Sequence, residues 1–247
     1  MQNFKLVLEY DGAAFHGFQR QPNRLTVQEV LEKALSQLFN QPLKIGSASG
    51  RTDAGVHARY QVVHFFVKTN LNISQVQNGL NRYLPYTAAV TCVEKVPKSF
   101  HARYKAKSKT YEYYVWNHRV RSPLHAASSM HVPYDLNISR MKSGAKQLCG
   151  KHDFRSFCGS DPSKKKRETI RMIYRFEVEK KGDLVRFVVE ADGFLYHMMR
   201  NLVGTLIYLG REKIALEDLE KILQAKDRKK ASATAQAQGL FLINVTY

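Results

Sequence analysis

Gly50-Arg51-Thr52-Asp53-Ala54-Gly55-Val56-His57-Ala58 stands between a helical pattern and a strongly apolar strand pattern, so it reads as a loop joining the two. One acid, Asp53, lies in it between a guanidinium two positions before and an imidazole four positions after. Small residues flank the acid on one side and leave room for a bulky planar ligand. The loop's position makes the first hundred or so residues β-α-loop-β-α-β, the order of an α+β half in which antiparallel pairing is possible.

Outward from that loop, Phe4, Leu6, Leu8 and Tyr10 alternate as one apolar strand face, and Asp11-Gly12 ends the strand. Thr26 with Glu29 forms a capping box ahead of Val27, Val30, Leu31, Ala34, Leu35 and Leu38, which keep the helical period. Asn40 and Pro42 stop that helix. Gln61 to Val67 suits a central strand. Ser74 can cap a helix carrying Val76, Leu80, Tyr83 and Leu84, and Ala88 to Val96 is β-prone.

Beyond it, Thr110-Tyr111-Glu112-Tyr113-Tyr114-Val115-Trp116 reads as a strand. Asn137 can cap the next helix, and Gly150 suits its left-handed C-terminal position. Lys181-Gly182-Asp183 marks a hairpin between Met172–Glu179 and Leu184–Ala191. A long apolar helix is expected from about Gly193 to Gly210, and a further one around Leu216 to Leu223. Ala225 to Gln238 is polar, basic and Ala-rich, a loop of low expected order, and Gly239 to Tyr247 is a strand. Of the two halves, 1–102 carries two helices among three strands and 103–247 three helices among four strands.

The totals narrow the partners. The 247 residues hold 39 Lys and Arg against 21 Asp and Glu, a formal charge of +18. Such an excess costs self-repulsion and points to a polyanion, with nucleic acid favoured over a merely solubilising role. No run reaches the length of a membrane span, and the N-terminal residues enter a strand pattern directly, so neither membrane insertion nor export is expected. Three cysteines without C-x-x-C spacing argue against a disulfide framework or zinc ribbon and fit a reducing cytoplasm.

Phosphate-loop and dinucleotide fingerprints are absent, and the nine histidines form neither H-E-x-x-H nor a zinc-deaminase set. Asp53 has two readings. It is a nucleophile or base kept ionised by Arg51, or a structural acid making an Asx-turn. Tyr111 either stacks a base, with Arg103, Lys105, Lys107 and Lys109 on phosphates, or is a core strand residue. Arg200 sits among Met198, Met199, Leu202, Val203 and Leu206. If buried it needs an acid or a phosphate; otherwise it faces solvent. The run Lys164-Lys165-Lys166-Arg167 and the cations at 228–230 are solvated loops or phosphate contacts.

The loop Gly50 to Ala58 resembles the catalytic motif of the tRNA pseudouridine synthase A family. Tyr10-Asp11-Gly12 with Phe15, Gly17 and Gln19 resembles the family's start, Lys109 to Tyr113 its second motif, Gly193 to Gly204 its third, and Gly239-Leu240 its ending. Gln236 before Ala237 departs from the proline often found there.

The resemblance implies a pseudouridine synthase fold. Two ferredoxin-like α+β halves would share a mostly antiparallel sheet and a central basic cleft. It implies isomerisation of uridine to pseudouridine at positions 38 to 40 of the tRNA anticodon stem-loop, with no metal or small-molecule cofactor. Asp53 would be the nucleophile or base, Tyr111 would pack on the uracil, and Arg51 and Arg200 would pair with Asp53 or help open the site. A cytoplasmic homodimer in which one tRNA contacts both subunits is implied as well. A non-catalytic RNA-binding protein on the same fold, or a synthase acting on another RNA, are the alternatives. An acid at the centre of Arg51-Thr52-Asp53 speaks against the first, because phosphate binding has no use for it.

Overall fold

A computed structural model of the chain describes residues 1–159 and 168–247. In chain order the elements are β1 (Gln2–Tyr10), α1 (Val27–Phe39), β2 (Ser47–Ala48), β3 (His57–Val67), α2 (Ile73–Tyr83), β4 (Ala88–Val96), β5 (Ser108–Trp116), β6 (Met130–His131), α3 (Ile138–Gln147), β7 (Gly150–Asp153), β8 (Ile170–Lys181), β9 (Leu184–Ala191), α4 (Met198–Gly210), α5 (Asp218–Ala225) and β10 (Leu240–Thr246). The fold is mixed α+β with mostly antiparallel pairing, as expected. It forms two compact units, Met1–Lys107 with Phe241–Tyr247, and Ser108–Leu240.

In the first unit the strands run β4-β1-β3-β10. Val7 of β1 is buried along with Phe4, Leu6, Leu8 and Tyr10, while Glu9 on the same face as Val7 is exposed. Phe4 stacks on Phe65 of β3 at 5.4 Å. The helices add Leu31, Ala34 and Leu35 from α1, and Val76 and Leu80 from α2, all fully buried. Each leucine or valine among them contributes about 1.5–3 kcal/mol of burial.

Thr26 caps α1 by accepting the Glu29 N–H, while the Glu29 carboxylate pairs with Lys33 at 3.2 Å. Asn40 ends the helix in the left-handed region. The cap of α2 is Asn72, two residues before Ser74, with a full capping box to Gln75. The amide oxygen of Asn72 takes the Gln75 N–H, and the Gln75 side chain returns to the Asn72 N–H, while Gln77, at the same spacing from Ser74, spends its side chain on Val90 O and Thr91 O of β4.

In the second unit the order is β5-β9-β8-β7. The expected hairpin turns on Gly182, at φ +58. Gly150 has a positive φ but opens β7; α3 ends instead at Leu148 in the right-handed region. The apolar helix α4 begins at Met198, not near Gly193. Asp192 accepts the Met172 N–H and ties the preceding turn to β8, and His197 sits in the left-handed region at the helix start. Its Leu202, Val203, Leu206 and Leu209 are fully buried, as a helix apolar on all sides requires.

Residues 225–238 are not the loosely ordered loop that their composition suggests. Ala231 and Ala235 are buried, two short 3-10 turns form at Arg228–Lys230 and Ala237–Gly239, and the segment is hydrogen-bonded to α4.

Candidate active site

The loop that carries Asp53 is built on the end of β1 and the turn after it. A buried polar chain runs beneath it. Ser49 donates to Gln61 at 2.6 Å, and Gln61 donates to the Gly50 carbonyl at 3.0 Å and to the Tyr10 phenol oxygen at 3.5 Å. Tyr10 and Thr52 then share a hydroxyl–hydroxyl bond of 2.8 Å. Burial pushes the Tyr10 phenol up to about 12, against the opposing hydrogen bonds of Thr52 and Gln61. The phenol therefore stays neutral at ordinary pH and keeps its proton as a donor.

The loop backbone is fixed from the other side by the segment at 15–18. Phe18 N–H donates to Thr52 O at 3.1 Å, Gly55 N–H to Phe15 O at 3.4 Å, and Val56 N–H closes the turn on Asp53 O at 3.1 Å. Gly17, at φ +91, lies so close that an added Cβ would stand 2.8 Å from Thr52 O and 3.1 Å from Ala54 N. A Cβ on Gly12 would fall 2.2 Å from Val56 O. The Asp53 backbone thus rests directly on Gly17, Gly12 packs on the end of the loop at Val56 and His57, and Asp53 is half-buried.

His57 reaches back to the N-terminal segment. Its Nδ1 accepts the Gly12 N–H at 3.1 Å and lies 3.1 Å from Asp11 Oδ1, and its ring stacks on Phe241 at 4.4 Å. Arg51 is exposed.

In the second unit, Tyr111 is buried on β5 opposite Val189, and its ring meets Phe194 edge-on at 4.8 Å. Two residues on, the Tyr113 hydroxyl donates to Gln236 O at 2.7 Å; burial pushes this phenol up, with the Arg200 charge opposing. Arg200 neither faces solvent fully nor depends on an acid alone. It is half-buried, its Nε donates to Ala235 O at 2.7 Å, and its own carbonyl accepts the Ala235 N–H at 3.1 Å. A backbone carbonyl as partner is the option the sequence reading omitted.

The cations of the basic stretch differ among themselves. Arg103, Lys105 and Lys107 are exposed, while Lys109 is half-buried within β5. Their backbone is held, since His101 Nδ1 accepts the Arg103 and Tyr104 N–H groups and Lys107 N–H bonds Thr246 O. Lys164, Lys165, Lys166 and Arg167 lie outside the described residues. Among the described residues, no group of three or more His, Cys, Asp or Glu is gathered as a metal would need, and no helix is long and apolar enough to cross a membrane.

The structure brings the Tyr10–Phe18 segment onto the Asp53 loop, Phe194 onto Tyr111, and Ala235 onto Arg200. Tyr10, Gly17, Gln61, Phe194 and Ala235 were not found by spacing as partners of the site. The one signal for them was that Tyr10, Gly17, Phe194 and the Asp53 loop all fall in motifs of the same family resemblance.

A half-buried aspartate on a clamped loop, in a protein of charge +18, suits covalent or proton-transfer chemistry on a polyanion. The family model described as tRNA pseudouridine synthase matches residues 6–105 and 145–247. The chain is 44% identical over 247 residues to the tRNA pseudouridine synthase A of Thermoanaerobacter sp. (strain X514), covering all of both chains. It is 42% identical over 242 residues to that of Pseudoalteromonas atlantica, covering 98% of this chain and 91% of the relative. Against the tRNA pseudouridine synthase A 2 of Bacillus anthracis it is 42% identical over 248 residues, again over all of both chains. By class the protein is an isomerase. It belongs to the tRNA pseudouridine synthase family.

Proposed function

We propose that this protein isomerises uridine to pseudouridine at positions 38, 39 and 40 in the anticodon stem-loop of tRNA, with Asp53 as the nucleophile or base. In this isomerisation the N1–C1′ bond breaks, the uracil turns, and C5 bonds to C1′. The proton lost from C5 and the proton gained at N1 leave the formula unchanged. The observation that carries the reading is the seating of Asp53. The loop backbone around it is pinned by Gly17, Phe18 and Val56 while Asp53 itself is half-buried, which supports a group held in place for reaction.

The other roles follow the chemistry. A target uracil must leave its stack, at a cost of a few kcal/mol, and the Tyr111 ring offsets that loss by packing on the base. The Arg51 charge keeps Asp53 ionised as water leaves, and Arg200 helps open the site. Arg103, Lys105, Lys107 and Lys109, with Lys164, Lys165, Lys166 and Arg167, hold the RNA backbone with little sequence reading. The enzyme works without a metal or cofactor, as a cytoplasmic homodimer with one tRNA contacting both subunits.

The test is release of tritium from 5-tritiated uridine in tRNA, with mapping of the modified positions. Asp53→Ala is expected to abolish release while tRNA binding is kept. Wild-type release from that variant would remove the catalytic role of Asp53. Modification confined to positions other than 38 to 40, or to another RNA, would overturn the substrate.

A further inference from the structure

Residues 226–239 form a strap along α4, and one side chain closes it. Arg228 stands in a run of three cations, but Lys229 and Lys230 are exposed whereas Arg228 is half-buried. Burial pulls its guanidinium below the usual arginine range. One terminal nitrogen donates to Asn201 Oδ1 at 3.0 Å and to Thr234 Oγ1 at 2.9 Å; the other donates to Ala231 O at 3.1 Å. Thr234 in turn donates its hydroxyl to the same Asn201 oxygen at 2.7 Å.

Asn201 itself is fully buried on α4 and anchored by its amide to Phe157 O at 2.8 Å. Both lone pairs of its Oδ1 are used, so the triangle Arg228–Asn201–Thr234 is saturated. Next to it Ser232 N–H bonds Thr205 Oγ1 at 3.3 Å, and Gly204 lets Ala233 O come within 2.0 Å of where a Cβ would stand.

The strap continues into Ala235, which touches Arg200 of the proposed machinery, and Gln236, which touches β5. Ala235, one position after Thr234, exchanges hydrogen bonds with Arg200 in both directions, and Gln236 receives the Tyr113 hydroxyl. Arg200 and Asn201 are adjacent on α4, so the triangle fixes the strap one residue away from the carbonyl that holds the Arg200 Nε. Desolvating a cation is a poor way to gain stability, because an apolar replacement of similar volume often does as well. A forked donor that meets three acceptors on two segments sets position instead.

We propose that Arg228 is a positioning residue for the isomerase: it locks residues 231–236 onto α4 and so holds the Ala235 carbonyl that aims the Arg200 guanidinium. The proposal rests on the reading of Arg200 as part of the site.

The test is a double-mutant cycle read in single-turnover tritium release and in tRNA Kd. Arg228→Met is expected to lower the single-turnover rate about ten- to hundredfold, with Kd held within about twofold. Arg228→Lys is expected to give no rescue, since an ammonium cannot fork between Asn201 and Thr234. In an Arg200→Ala background, Arg228→Met is expected to add no further loss. An equal loss in both backgrounds would overturn the proposal and leave Arg228 a structural residue. Wild-type turnover in Arg200→Ala alone would instead remove the underlying role of Arg200, and the proposal with it. Should Arg228→Met not fold, Thr234→Val cuts the same triangle at nearly constant volume and is subject to the same outcomes.

Discussion

Replacing Gly17 with alanine separates the two things this glycine does for the Asp53 loop. Its φ of +91 is strained for any side chain, and an added Cβ would stand 2.8 Å from Thr52 O where ordinary contact begins at 3.4 Å. The loop or the 15–18 segment must therefore yield by about 0.6 Å, and the obstacle is backbone, which cannot swing aside. Strain at such a φ costs about 1–3 kcal/mol of stability. A displacement of that size beside a reacting group costs about ten- to hundredfold in rate.

Gly182→Ala supplies the control. It has φ +58 in the β8–β9 turn with no atom within 4 Å of the new Cβ, so only the strain remains, about 1 kcal/mol. Urea unfolding is expected to show both variants destabilised, and single-turnover tritium release to fall only in Gly17→Ala. If Gly17→Ala turned over like wild type, the claim that this contact holds Asp53 in its reactive position would be refuted.

Two further predictions concern charge. His64 is buried on β3, and burial first, then the neighbouring His101, lowers its pKa from 6.5. Its folded pKa lies below its unfolded one, so the stability it contributes is fully present above about pH 6.5 and is lost as pH falls toward the folded value. His64→Gln is therefore expected to flatten the decline of urea stability between pH 7 and pH 5.5, and an unchanged slope would sink the assignment to His64. Neutralising the exposed Arg103, Lys105 and Lys107 together is expected to reduce the slope of log Kd for tRNA against log salt by about 2–3. An unaltered slope would show that these cations make no phosphate contacts.

Much of the fold could be read from local pattern because local physics decides it. The alternation of Phe4, Leu6 and Leu8 and the Thr26 cap before a helical period both act within a few residues. Where two local signals competed, reading failed. Ser74 and Asn72 are both capping types, each with a glutamine three residues on, and what decides between them is that Gln77 is drawn to the β4 backbone while Gln75 is left to close the box. The site was legible as a motif but not as an assembly. Tyr10 meets Thr52 across 42 positions and Arg200 meets Ala235 across 35, and no periodicity encodes such pairings. The strap was misjudged for the same reason. Its alanines and lysines look unstructured in composition, while the donors that order it are satisfied by Asn201 and Thr205 on α4.

The return of Phe241–Tyr247 to the first unit sets an order of events during synthesis. These seven residues supply β10, pair Phe241 with His57, and lay an aromatic ring on the imidazole that ends the Asp53 loop. A ribosome that has released only residues 1–240 has delivered Asp53 and most of the basic surface, but not the strand that completes the unit holding the acid. Chains cut short before β10 would therefore lose the aromatic wall on His57 at the end of the Asp53 loop.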